Sequence, residues 1–284
     1  MARTRIITDA TAHLDADLVA EHQITVLPVE IQLGREKYVI GPQDDLKKLF
    51  RKMSEGPPTV LQATISPDLI QQTYRQLNQE TDEILVLLNS RQLSLAYDSA
   101  MAQARAFLGR CTITVMDSMS TSWGLGLAVE AAASASSDGA SLDETVRQVR
   151  GLLPHIYAVF FVERLDYLEK GGRIGPAQAL LGSMLRIKPL LILEDGDIIP
   201  LEKVRTRIMA IEKLAEFVAE FATIDQVVIM HSPLGNGVGE LEEELDERLG
   251  QTMPSLDFPS IEYDPVLACH LGPEALGVTV YEGF

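Results

Sequence analysis

The sequence predicts an α/β protein of two domains: a parallel-sheet α/β domain over residues 1–152 and an α+β domain over 153–284. Three observations predict this. Short apolar runs of strand length alternate with stretches whose apolar residues recur every three or four positions, and strands joined by helices imply a mainly parallel sheet. Asp195-Gly196-Asp197, between Leu190–Leu193 and Ile198–Val204, signals a hairpin that does not suit a uniform strand–helix series, so the second half is a separate α+β unit. A length of 284 residues, 46% hydrophobic and 23% charged, fits one large or two ordinary globular domains. The boundary is placed at Gly151 to His155.

The elements follow in order. Strand-like runs lie at Thr4–Thr8, Ile24–Leu33, Ile84–Leu88, Thr112–Met116, Tyr157–Val162, Pro189–Leu193 and Val227–Met230. Between them, helical spacing covers Asp44–Ser54, Pro67–Leu77, Leu93–Phe107, Gly124–Ser136, Leu142–Leu153 and Ile208–Phe221. The first helix is stopped by Gly56-Pro57-Pro58, and the second opens with Ser66 as N-cap and Pro67 at the first helical position. In the last, Ile208, Ile211, Leu214, Ala215, Val218 and Phe221 share one face.

Net charge is −17, unevenly spread. Residues 208–284 hold 15 acidic side chains against two basic ones, Lys213 and Arg248, a local −13 that leaves −4 for the rest. So acidic a chain is a poor candidate for non-specific nucleic-acid binding, which requires clustered basic side chains. The acids from Glu240 to Glu247 read as a solvated helix face. Two cysteines, Cys111 and Cys269, make no disulfide framework and no zinc spacing. Residues 1–9 lack the apolar stretch of a signal peptide, and no apolar run reaches membrane-spanning length, so a cytoplasmic protein with no stable membrane insertion is expected.

Five polar segments are candidate sites. Thr8-Asp9-Ala10-Thr11 follows the first strand, where ligands collect in open α/β sheets. Gln62–Pro67 offers hydroxyls at a helix start, and Asn89–Ser94 places Ser94 in the first turn of the next helix. Leu165–Ile174 ends in Gly171-Gly172-Arg173, and with Arg186, Lys188, Lys203, Arg205 and Arg207 downstream it forms the one basic neighbourhood. In Cys269-His270-Leu271-Gly272-Pro273, His270 precedes a turn; adjacent Cys and His side chains diverge, so this is no nucleophilic pair. Neither a Walker pattern nor a dinucleotide fingerprint occurs.

In this order and spacing the segments resemble the DegV family of bacterial fatty-acid-binding proteins. The resemblance runs through Ile7–Thr11, Asp117-Ser118, Ser122–Gly126, Leu165–Ile174, Ile187–Leu190, Lys203–Arg205 and His270–Gly277. It implies a long-chain fatty acid in a tunnel between the domains, no other cofactor, no metal and no catalysis by the chain itself. It also implies a separate fatty acid kinase as partner. By the same resemblance Ser94 and His270 hold the carboxylate. The family's Thr falls on Gln62, whose amide can still donate, with Thr64 or Ser66 as substitutes and Asp9 nearby. Arg173 and Arg205 match arginines associated with the ligand mouth and kinase docking. Leu95, Ala96, Leu271 and Glu274 depart from the family pattern around the headgroup. Leu180, Leu181, Met184 and Leu185 suit either a tunnel wall or core packing. Two alternatives stand beside the carrier reading: an enzyme using Asp9, Ser94 and His270 on a small acid or phosphate, and the same scaffold holding a different lipid-like ligand.

Overall fold

The computed structural model describes residues 3–42, 44–56, 61–170, 188–234 and 239–283. Two compact units emerge: residues 1–44 with 62–154, and residues 45–61 with 155–284. A single cut at 152/153 would leave 45–61 in the first domain. Instead the chain leaves the first unit at Asp44, contributes a segment to the second, and returns at Gln62.

The first unit is built on a four-stranded parallel sheet, β1 (Arg5–Asp9), β2 (Thr25–Leu27), β6 (Glu83–Leu88) and β7 (Thr112–Asp117), in the order β2-β1-β6-β7. Ile7 of β1 pairs with Thr25 on one side and Val86 on the other. β6 is buried along nearly its whole length, as a central parallel strand requires. The run Ile24–Leu33 divides at Pro28 into β2 and β3 (Val29–Leu33), which enters a second sheet with β4 (Glu36–Ile40) and β5 (Leu61–Thr64). The helices here are α1 (Ala16–His22), α3 (Pro67–Leu77), α4 (Ala96–Ala104), α5 (Ser122–Ser137) and α6 (Leu142–Leu152). Ser141 and Glu144 close a capping box at the start of α6, which defines that helix start. Gly126 lets α5 approach the chain at His13, where an added Cβ would lie 2.1 Å from the His13 carbonyl oxygen.

The second unit carries a six-stranded mixed sheet of β8 (Ile156–Phe161), β9 (Lys188–Glu194), β10 (Asp197–Val204), β11 (Gln226–His231), β12 (Ser260–Glu262) and β13 (Leu276–Tyr281). Their order is β10-β9-β8-β13-β11-β12. All pairs are antiparallel except β11 with β12. Asp195 and Gly196 both take positive φ in the hairpin turn, and Pro200 sits on edge strand β10, where its missing N–H costs no ladder bond. One core cluster joins this sheet to α8 (Arg207–Ala219) and α9 (Gly239–Thr252) through Phe161, Leu190, Ile211, Leu214, Leu245 and Val278. The acidic face of α9 is solvated while Leu241, Leu245 and Leu249 turn inward. α7 (Asp166–Lys170) and α10 (Pro265–Leu271) complete the unit, together with α2 (Lys47–Ser54) from the inserted segment.

Candidate functional site

In a parallel sheet every strand ends on the same side, so the carboxyl ends of β1, β6 and β7 bring three polar loops together. The chain leaves β1 toward β2 on one side, while β6 lies on the other, which makes the β1/β6 crevice the sheet's switch point. Asp9 ends β1 and is fully buried. Its Oδ1 accepts the Thr11 backbone N–H (2.9 Å) and the Thr11 hydroxyl (2.5 Å), and its Oδ2 accepts the Asn89 backbone N–H (2.9 Å). Burial pushes the Asp9 carboxyl above its ordinary value, an effect the hydrogen bonds from Thr11 and Asn89 oppose. Because the Thr11 hydroxyl spends its proton on Asp9, it accepts from the Asn89 side-chain amide (3.0 Å), which also donates to the Thr121 hydroxyl (2.6 Å). The loops after β1, β6 and β7 are thus tied by one buried network.

Ser94 lies five residues beyond Asn89 and is 4% exposed. Its hydroxyl accepts the Ala96 N–H (3.1 Å) and donates to the Ala63 carbonyl across a long 3.3 Å. That proton is weakly held, and a carboxylate oxygen is a stronger acceptor. Leu95 N–H also donates to the Ala63 carbonyl (2.9 Å), so the structure brings Ser94 beside the Gln62–Ser66 segment. There Gln62 is exposed, while Thr64 and Ser66 are half-buried. Ser66 precedes Pro67 at the start of α3 as the sequence predicts, yet its side chain makes no capping bond. Its hydroxyl is therefore not committed to the helix.

His270 belongs to the second unit, buried at the end of α10. Asp264 caps that helix by accepting the Val266 and Leu267 N–H groups. Gly272 ends it at φ 86° and ψ 171°, and an added Cβ would stand 2.8 Å from the Tyr167 ring. The Tyr263 hydroxyl donates to the Gly272 carbonyl (2.9 Å) and accepts the Ala275 N–H (3.1 Å). Phe50 of α2 packs on Tyr263 at 5.5 Å between ring centroids, and the Tyr167 hydroxyl donates to the Met53 carbonyl. Burial raises the Tyr167 phenol to about 12.

Of the basic neighbourhood, Lys188 and Arg207 both pair with Glu163. Lys203 and Arg205 are exposed, and among the described residues neither is ion-paired. Arg173 and Arg186, with Gly171-Gly172 and the apolar residues Leu180, Leu181, Met184 and Leu185, lie outside the described residues. Among the described residues no His, Cys, Asp and Glu group could hold a metal ion, and no helix is long and apolar enough to cross a membrane.

The family model described as an uncharacterised protein of the DegV family matches residues 3–283. The chain belongs to the DegV family. Among DegV relatives, a DegV domain-containing protein of Streptomyces coelicolor is 36% identical over 277 residues, 97% of each chain. A DegV family protein from Thermus thermophilus, whose structure is described by its fatty acid binding, has a TM-score of 0.83. It is 29% identical over 99% of this chain and 100% of its own. A fatty acid binding DegV family protein from Streptococcus agalactiae has a TM-score of 0.87 at 25% identity, with both chains covered completely. The two-domain α/β organisation and the family resemblance read from the sequence are those of these DegV structures.

Sequence reasoning named Asp9 and the Asn89–Ser94 loop but gave Thr11, Asn89 and Thr121 no role. The available signal was positional: each is polar and lies within a few residues of an apolar strand's carboxyl end.

Proposed function

We propose that this chain is a carrier: it holds a long-chain fatty acid by its carboxylate, presents it to a separate fatty acid kinase, and performs no reaction itself. The observation that carries this reading is full-length likeness, at 29% identity over 99% of the chain, to the fatty-acid-binding protein of T. thermophilus. Ser94 and His270 are the proposed carboxylate donors, with Gln62, Thr64 and Ser66 supplying further polar groups. The chemistry of Ser94 supports this, since its proton rests on a long 3.3 Å bond that a carboxylate outcompetes. A buried carboxylate needs such donors, while each buried CH₂ of the tail contributes about 0.8 kcal/mol, roughly 10 kcal/mol for a long chain before the costs of binding. Affinity then comes from the tail and orientation from the polar loops. Arg205, exposed and unpaired among the described residues, is the proposed kinase contact together with Arg173.

Native mass spectrometry of the purified protein, followed by extraction and identification of what is released, tests the reading. A stoichiometric long-chain fatty acid is expected. An empty protein that takes up no added fatty acid would overturn it and favour a different ligand on the same scaffold. Arg205→Glu is expected to leave fatty-acid binding intact while lowering transfer to the kinase; equal loss of both would remove the docking role.

A further inference from the structure

We infer that Asn89 is a positioning residue for Ser94, with Asp9 as the buried anchor that holds Asn89 in place. The inference rests on the proposed reading of Ser94 as a carboxylate donor, and it assigns Asp9 to the scaffold rather than to contact with the ligand.

Asn89 is held at its backbone and at its side chain. Its N–H is fixed by Asp9 Oδ2, and its side-chain amide bridges the Thr11 and Thr121 hydroxyls, which belong to the loops after β1 and β7. From Asn89 the chain turns once before reaching Ser94, and that turn closes on Ser90. The Ser90 carbonyl accepts the Leu93 (2.9 Å) and Ser94 (3.0 Å) N–H groups, the Ser90 hydroxyl accepts the Gln92 N–H (3.1 Å), and the Ser90 N–H donates to the Ser120 carbonyl (2.9 Å). Residues 90–94 are therefore one hydrogen-bonded turn, and the Asn89 amide ties its start to the loops after β1 and β7.

Ser94 needs that placement because its hydroxyl has little tolerance. One of its two lone pairs accepts the Ala96 N–H, which orients the hydroxyl, and its proton lies toward the Ala63 carbonyl, where a ligand acceptor would compete for it. A shift of a few tenths of an ångström toward Ala63 would shorten the 3.3 Å bond and commit the proton there. Asp9 suits the anchoring role because its buried oxygens take backbone N–H groups that would otherwise be orphaned at the strand ends.

The test is a double-mutant cycle on the full chain, delipidated and titrated with oleic acid. Ser94→Ala is expected to weaken binding about 10-fold, the loss of one bond to a charged group. Asn89→Ala is expected to weaken it by a similar factor, and the double variant by no more than Ser94→Ala alone. Ser141→Ala, which disturbs the cap of α6 in the same unit, is expected to leave affinity unchanged, separating positioning from general destabilisation. Should Asn89→Ala not fold, Thr121→Val removes one of its two acceptors and completes the same cycle. Losses that multiply to about 100-fold, or unchanged affinity in the Asn89 or Thr121 variant, would overturn the positioning role while leaving Ser94 in place. Unchanged affinity in Ser94→Ala would instead overturn the reading of Ser94 on which the inference stands.

Discussion

The two units hold their candidate residues by different means. In the first, the Asn89–Ser94 loop is tied by carboxylate, amide and hydroxyl groups gathered where parallel strands end together. In the second, the turn after His270 is clamped by aromatic rings, with Tyr263 bonding its backbone, Tyr167 filling the space over Gly272, and Phe50 packed at a tilt against Tyr263. Sheet topology explains the contrast. In a parallel sheet the loops leaving the strands gather at one end, and here the Asp9 oxygens satisfy the Thr11 and Asn89 N–H groups of two of them. The turn leaving α10 follows a helix instead, and there the Tyr263 hydroxyl serves the backbone while the Tyr167 ring limits the space over Gly272.

If the aromatic clamp acts through shape, the largest effect should come from filling the space it encloses. Gly272→Ala places a Cβ 2.8 Å from the Tyr167 ring at a backbone conformation that only glycine adopts readily, and a loss of about 3 kcal/mol is expected in urea denaturation. A loss under about 1 kcal/mol would mean the turn is not tightly clamped. Tyr263→Phe keeps the ring and removes two hydrogen bonds to buried backbone, which should cost about 2 kcal/mol. A null result there would leave shape alone as the clamp.

The polar network should be sharpened by pH. The Asp9 carboxyl is raised above 3.8 in the fold, so between 3.8 and its folded value the native state binds more protons than the unfolded one. Stability from this group is therefore fullest below 3.8 and falls as pH rises through that window. Unfolding free energies measured across the window should slope downward in the parent and flatten in Asp9→Asn; equal slopes would show that Asp9 does not titrate there.

Much of the fold is legible in the sequence because local signals agree with the tertiary outcome. Ser66-Pro67 fixes the start of α3, and Asp195-Gly196 marks the β9–β10 hairpin. β13 is not legible in the same way. Gly277 suggests a turn, and only the fold shows why glycine is needed in a central strand: an added Cβ would lie 2.5 Å from the Val159 carbonyl oxygen of β8. The amphipathic face of α2 is plain, but the partner of Leu49, Phe50 and Met53 is not, since periodicity says that a face is buried and never against what. The polar loops are legible as loops after strands, and it is the family resemblance that singles out Ser94 among their residues. The Asp9–Thr11–Asn89–Thr121 network is invisible in the sequence, because its members are up to 112 residues apart and meet only through the strand order β1-β6-β7.

The inserted segment 45–61 bears on how the chain is made. During synthesis the residues up to Pro154 leave the ribosome before most of the second unit exists, and among them α2 presents Leu49, Phe50 and Met53 with no aromatic partner yet translated. Vectorial folding can complete the first sheet early, but the Tyr263 ring that packs on Phe50 and the Tyr167 hydroxyl that bonds the Met53 carbonyl arrive only later. A nascent chain ending near Pro154 therefore holds α2 without the Tyr263 ring that packs on Phe50 in the finished fold.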